Sequence, residues 1–207
     1  QQIIRITSVI LLIFSGLQFA CTGQKPEEPF FPGEYPGAVS YKISENSLTL
    51  ANKAIEAEWG ITDNSVFLKN VTNKYDGQKV NLEKVILFAI ELEGCRQLTN
   101  LDFKLKSKPM EFRLEAADSV PTKALRFSGR EISALMVAED KNIEILWKAQ
   151  LRDGSNYIRQ NIQITVVNKP VKISKVIFFD GNLQGAEYAG MVIGSPIQYK
   201  NFFLLLM

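Results

Sequence analysis

Between Asn142 and Val167 the chain alternates apolar and polar residues with a period of two, interrupted by a turn signal. Ile143, Ile145, Trp147, Ala149 and Leu151 take every second place on the outward limb. On the return limb Ile158, Ile162, Ile164 and Val166 do so against Tyr157, Arg159, Asn161, Gln163 and Thr165. Successive side chains of a strand point to opposite faces, so the pattern predicts a long β-hairpin turning at Asp153-Gly154, with one face buried and one solvated. Two strands of that length imply a large sheet.

The same reading extends back to Ala38 and forward to the C-terminus. Strands are predicted over Ala38 to Ile43, Ser47 to Ala51, Ala54 to Trp59, Ser65 to Thr72, Lys84 to Glu91, Leu101 to Lys106, Glu111 to Glu115, Ala124 to Ser128 and Glu131 to Ala138. Beyond the hairpin come Val171 to Phe179, Glu187 to Ile193 and Gln198 to Leu205. Asp76-Gly77, Asp180-Gly181-Asn182 and Gly194-Ser195-Pro196 supply turns. With no long helical period in this body, the expected fold is all-β, an antiparallel two-sheet β-sandwich of about a dozen strands.

The first twenty residues read differently. Arg5 precedes an apolar run containing Val9-Ile10-Leu11-Leu12-Ile13-Phe14, then Ser15-Gly16 and Leu17-Gln18-Phe19-Ala20-Cys21. A positive start, a short apolar core and a small residue before the cleavage point predict an export signal over residues 1–20, too short and interrupted for a comfortable membrane span. Cys21 after Ala20 resembles a bacterial lipobox, although Gln18 stands where leucine is expected and Leu17 lies one place further back. The expectation is therefore a mature chain acylated at Cys21 and held on a membrane surface of the cell envelope. Since the sequence opens on Gln, a few residues are expected to precede it. Residues 21–37 hold four of the eight prolines and read as a semi-rigid tether, leaving 38–207 as the folded domain.

Composition narrows the chemistry. The chain has no histidine, which excludes Ser-His-Asp and Cys-His nucleophiles and histidine-based metal sites. Its two cysteines, Cys21 and Cys95, are too few for a thiolate cage, and Cys95 reads as a small buried residue. Asp153, Asn156, Asp180 and Asn182 are turn residues without calcium-loop spacing. A net charge of +2 from 24 basic and 22 acidic residues, without a basic stripe, gives no footprint for nucleic acid. No cofactor is implied.

The run Trp147-Lys148-Ala149-Gln150-Leu151-Arg152-Asp153-Gly154-Ser155-Asn156-Tyr157-Ile158-Arg159-Gln160, then Ile162-Gln163-Ile164, Gly194-Ser195-Pro196 and Asn201-Phe202-Phe203, resembles the N-terminal domain of a group of bacterial glycoside hydrolases similar to the α-galactosidase clan. That resemblance spans about Ala38 to Phe203 and is most specific from Trp147 onward. It implies a galactose-mutarotase-like β-supersandwich that precedes a (β/α)₈ barrel, with the paired catalytic carboxylates on the barrel. After Phe203 this sequence runs only to Met207, so truncation before the barrel is expected.

No catalytic residue or metal ligand is assigned in the chain itself. Glycosidases hold two carboxylates at a fixed separation on a rigid scaffold, whereas Glu56 and Glu58, like Glu91 and Glu93, share one strand face and read as solvated spacers. Carbohydrate contact, through stacking on aromatic side chains, is expected at Trp59, Tyr157 and Arg159, while Trp147 falls on the apolar row and reads as core. The expected role is a non-catalytic module of an exported carbohydrate-active enzyme, packing on the barrel and contacting glycan. The alternative is a stand-alone lipid-anchored protein that binds glycans or a surface partner.

Overall fold

A computed structural model of the chain describes residues 34–94, 97–117, 119–138, 142–192 and 195–204. The expected export signal, Cys21, the tether as far as residue 33, and Cys95 lie outside the described residues. The body is all-β, built from antiparallel sheets. The first sheet is a meander of β1 (Ser40–Ile43), β2 (Ser47–Ala51), β3 (Ile55–Thr62), β4 (Ser65–Asn73) and β5 (Lys79–Asn81), in that spatial order. Next in the chain come β6 (Ile86–Leu92), β7 (Leu98–Thr99), β8 (Lys104–Leu105) and β9 (Met110–Leu114). They are followed by β10 (Gly129–Ala138), β11 (Ile143–Arg152), β12 (Ile158–Val166) and β13 (Ile173–Asp180). The chain closes with β14 (Glu187–Tyr188), β15 (Ile197–Tyr199) and β16 (Phe202–Leu204).

The second large sheet runs β12-β11-β10-β8, with β9 also paired to β10. Smaller sheets are formed by β13-β6-β7 and by β14-β15-β16. The predicted hairpin is present, with Ile143 opposite Val166 and Leu151 opposite Ile158, and burial along β11 alternates without a break. Where the sequence predicted a strand at Ala124 to Ser128, residues Lys123–Arg126 instead form one turn of 3₁₀ helix, and Asn100–Asp102 form another. Neither segment joins a strand ladder, so apolar content alone did not make them strands. The short strands β5 and β7 escaped the sequence reading because two or three residues carry no period.

Inner faces of the two five-stranded sheets meet, with β2 lying against β10 and β11. Leu48, Leu50 and Trp59 from one side and Ile132, Met136, Ile145 and Trp147 from the other are buried in one continuous core, which Phe88 and Phe103 extend under β6. The rings of Trp59 and Trp147 meet edge to face at 5.3 Å between centroids. A bulge in β4 sets the aim of Trp59: Glu58 pairs with Asn70 but Trp59 pairs with Leu68, leaving Lys69 as the additional residue. That extra residue shifts the inward row of β4 from Val66 and Leu68 to Val71.

Buried polar groups tie the layers. Asn52 Nδ2 donates to the Ser155 carbonyl at 2.6 Å while its Oδ1 accepts from the N–H groups of Ala54 and Ile55. Asn100 Oδ1 accepts from the Leu87 N–H and its Nδ2 donates to the Val66 carbonyl, joining β6 to β4. Asp153 does more than turn the hairpin: its Oδ1 accepts from the Val39 N–H and its Oδ2 from the Ser128 hydroxyl. The last residues of the expected tether are docked here as well. The Gly154 N–H donates to the Gly37 carbonyl, the Lys53 N–H to that of Pro36, and the Tyr35 ring lies over Gly154.

Gly154 has φ +69°, and a Cβ added there would come within 2.5 Å of the Tyr35 hydroxyl oxygen. Gly77 has φ +72° with nothing within 4 Å of an added Cβ. Alanine at Gly77 should therefore show only the left-handed backbone penalty, about 1–2 kcal/mol, in urea denaturation. Gly154→Ala should lose clearly more, because Tyr35 must also move off. Equal losses would mean that residues 34–37 are not docked in solution.

Candidate functional site

At the edge of the second sheet the two large sheets stop matching. β12 is its last strand, yet the first sheet continues to β4 and β5, whose inward side chains Val71 and Val80 lie beyond the cover of the hairpin. The chain's last segments come over this gap and leave a cleft of about 310 Å³, near the lower end of the range of small-ligand sites. Ile55, Ala57, Trp59, Leu68, Val71, Val80 and Leu82 form one wall. Asn156, Tyr157, Ile158 and Gln160 form the second, and Phe179, Leu183, Tyr199, Asn201 and Phe202 to Leu204 the third. Among the described residues no charged side chain lines it.

Phe179 enters this wall through an unusual backbone. Its φ is +58°, which is rare for a bulky residue, and the ring packs against the core beside the cleft. Such strain persists only where surrounding contacts over-determine it.

The floor is a three-residue polar device. Trp59 Nε1 and Trp147 Nε1 both donate to Gln160 Oε1, at 3.3 and 3.2 Å. A buried indole N–H without an acceptor is unfavourable, and the edge-to-face ring pair brings both donors to one place. Gln160 sits opposite Ala149 in the ladder, on the inward face of β12.

Of the residues expected to contact sugar, Trp59 and Tyr157 line this same cleft. Trp59 is fully buried in mid-strand, so it offers no stacking face to solvent; β3 runs on past Gly60, over which the Phe67 ring packs. Tyr157 is 42% exposed at the rim. Arg159 lies one step along β12 from Gln160, on the outward face, and does not line the cleft. Its charge instead acts on Arg152, whose guanidinium is held below its usual value chiefly by burial, with Arg159 adding repulsion. Gln160, Asn156, Tyr199 and Asn201 were not foreseen. Gln160 alone had a legible signal, as the one polar residue in the inward row of Ile158, Ile162, Ile164 and Val166. The others arrive from loops and short strands without periodicity.

The paired carboxylates are neutralised away from the cleft. Glu58 Oε1 accepts from Lys69 Nζ at 2.7 Å and its Oε2 from Asn70 Nδ2 at 2.9 Å, the two residues that the β4 bulge places opposite it. Lys74 faces Glu56, Lys175 faces Glu91 and Lys172 faces Glu93. Among the described residues no group of three or more cysteine, aspartate or glutamate side chains converges on a metal position, and no helix is long and apolar enough to cross a membrane. Comparison with known protein families, curated proteins and solved structures finds no match.

The hydrogen bond from Lys69, and next that from Asn70, holds the Glu58 carboxyl below its ordinary range. A carboxylate with a depressed folded-state pKa contributes stability that is present above the unfolded value and lost as pH falls through the folded one. The urea midpoint of wild type should therefore exceed that of Glu58→Gln at neutral pH, and the gap should close on acidification through the carboxylate range. A gap that stays constant over that range would assign the pair no role.

Proposed function

We propose that this chain is a non-catalytic β-sandwich module of an exported carbohydrate-active enzyme, which contacts glycan through the cleft and packs on a catalytic barrel carried elsewhere in the parent protein. The observation that carries the glycan half is the make-up of the cleft: apolar walls of aliphatic and aromatic side chains with three amides among them, and no charged side chain among the described residues. A pyranose has an apolar C–H face and a rim of neutral hydroxyls. Tyr157 and Phe203, 42% and 63% exposed, offer apolar faces, and Asn156, Asn201 and Gln160 offer amide donors and acceptors.

The module half rests on the sequence resemblance and on surface chemistry. Tyr188, Met191 and Val192 are large, exposed apolar residues in and just after β14. Side chains of that kind gathered on one segment call for a covering partner, and in this reading the barrel covers them. Export and acylation at Cys21 would hold the assembly at the cell envelope. Hydrolysis belongs to the barrel, since each strand-face carboxylate pair described above is tied to lysines and none lines the cleft.

Calorimetric titration of the chain with methyl glycopyranosides and short oligosaccharides tests the reading. Binding should be saturable and independent of divalent cations, and Tyr157→Ala should weaken it by up to about tenfold, the equivalent of one aromatic contact. A complete lack of binding to such a panel would overturn the glycan reading.

A further inference from the structure

We propose that Gln160 is the ligand-recognising donor of the cleft, and that its fixed amide restricts the occupant to a neutral, oxygen-bearing ring such as a pyranose. This assignment rests on the glycan reading above and names the group that performs it.

An amide side chain presents an oxygen acceptor and a nitrogen donor that are nearly the same shape, so its orientation has to be inferred from its neighbours. Here the neighbours decide it. Indole N–H groups only donate, and two of them point at one atom of Gln160 from 3.3 and 3.2 Å. That atom must be Oε1, because turning the amide over would set two N–H donors against its own NH₂ and lose both hydrogen bonds. Nε2 is thereby left for whatever lies in the cleft. It makes no hydrogen bond within the described residues, and it is not closed off either. The one fully buried side-chain polar atom without a partner among those residues is Asn70 Oδ1. Gln160 is half-buried and lines the cavity, and in this assignment its two N–H bonds face the occupant.

The donor is also held in place before any ligand arrives. Trp59 and Trp147 are packed edge to face in the core and cannot follow a shifting amide. Recognition by a preorganised group avoids the ordering loss that a free surface glutamine would suffer on binding.

The chemistry of the occupant follows by exclusion. A charged ligand would be stripped of water in a cleft where no described residue supplies a counter-charge. A pure hydrocarbon would fill the apolar walls but leave the Gln160 N–H groups unpaired. A ring with a C–H face and hydroxyl or ether oxygens satisfies both walls and floor.

The chain has two tryptophans, and both indole N–H groups share the Gln160 acceptor, so their two NMR signals report on this site directly. In the full ¹⁵N-labelled chain, methyl glycopyranosides and disaccharides should shift both indole signals with one saturation curve. Gln160→Glu keeps an oxygen for the two indoles but has no N–H to give, so the free protein should retain both hydrogen-bonded indole signals while glycoside affinity falls at least tenfold. If Gln160→Glu does not fold, Gln160→Met, which removes the donor without adding charge, should show the same loss. Undiminished affinity in whichever variant folds would overturn the assignment while leaving the glycan reading intact. Failure of wild type to bind any glycoside, or binding of octanol in their place, would overturn both.

Discussion

Two tryptophans that meet across the sandwich, and the one amide that satisfies them, set the terms for this molecule. Trp59 and Trp147 are the largest side chains in the core, and their edge-to-face contact bridges β3 and β11. Packing of that size holds two sheet faces at the usual separation of about 10 Å. It also buries two indole N–H groups, which in a dry interior require an acceptor. Gln160 supplies it from the neighbouring strand, so an apolar contact between sheets fixes a polar side chain at the cleft floor.

Other buried polar residues repeat this arrangement at the periphery. Asn52 joins the β2–β3 turn to the loop of the long hairpin, and Asn100 joins β4 to β6. Each satisfies backbone groups that face one another where no ladder reaches, and each would be unfavourable if only half-paired. Asp153 and Gly154 extend the same logic to the residues before β1: a carboxylate and a bare backbone receive Val39, Gly37 and the Tyr35 ring. A turn signal in the sequence thus became the anchor for residues that had read as tether.

The cleft exists because the sheets are unequal in extent. Where β12 ends the second sheet, β4 and β5 still present apolar side chains, and the C-terminal strands cover them only in part. Glu56, Glu58, Glu91 and Glu93 each face a lysine and do not line this cleft.

The all-β class, the long hairpin, the inward face of β11 and the turn at Asp153-Gly154 were legible in the sequence, because a strand writes its buried face as a period of two. So was the assignment of Trp147 to the core, on the row with Ile143, Ile145 and Leu151. Trp59 was ambiguous by itself, since a strand end and a strand middle read alike beside a glycine. Its burial depends on the β4 bulge, on Phe67 over Gly60, and on a partner nearly ninety residues away. Gln160 showed in the sequence only as an irregularity in an apolar row. Tertiary structure alone decided that two indoles converge on it and that loops from the far end of the chain enclose it, because such meetings depend on how sheets stack and where they end, and the local period of a strand carries no record of either.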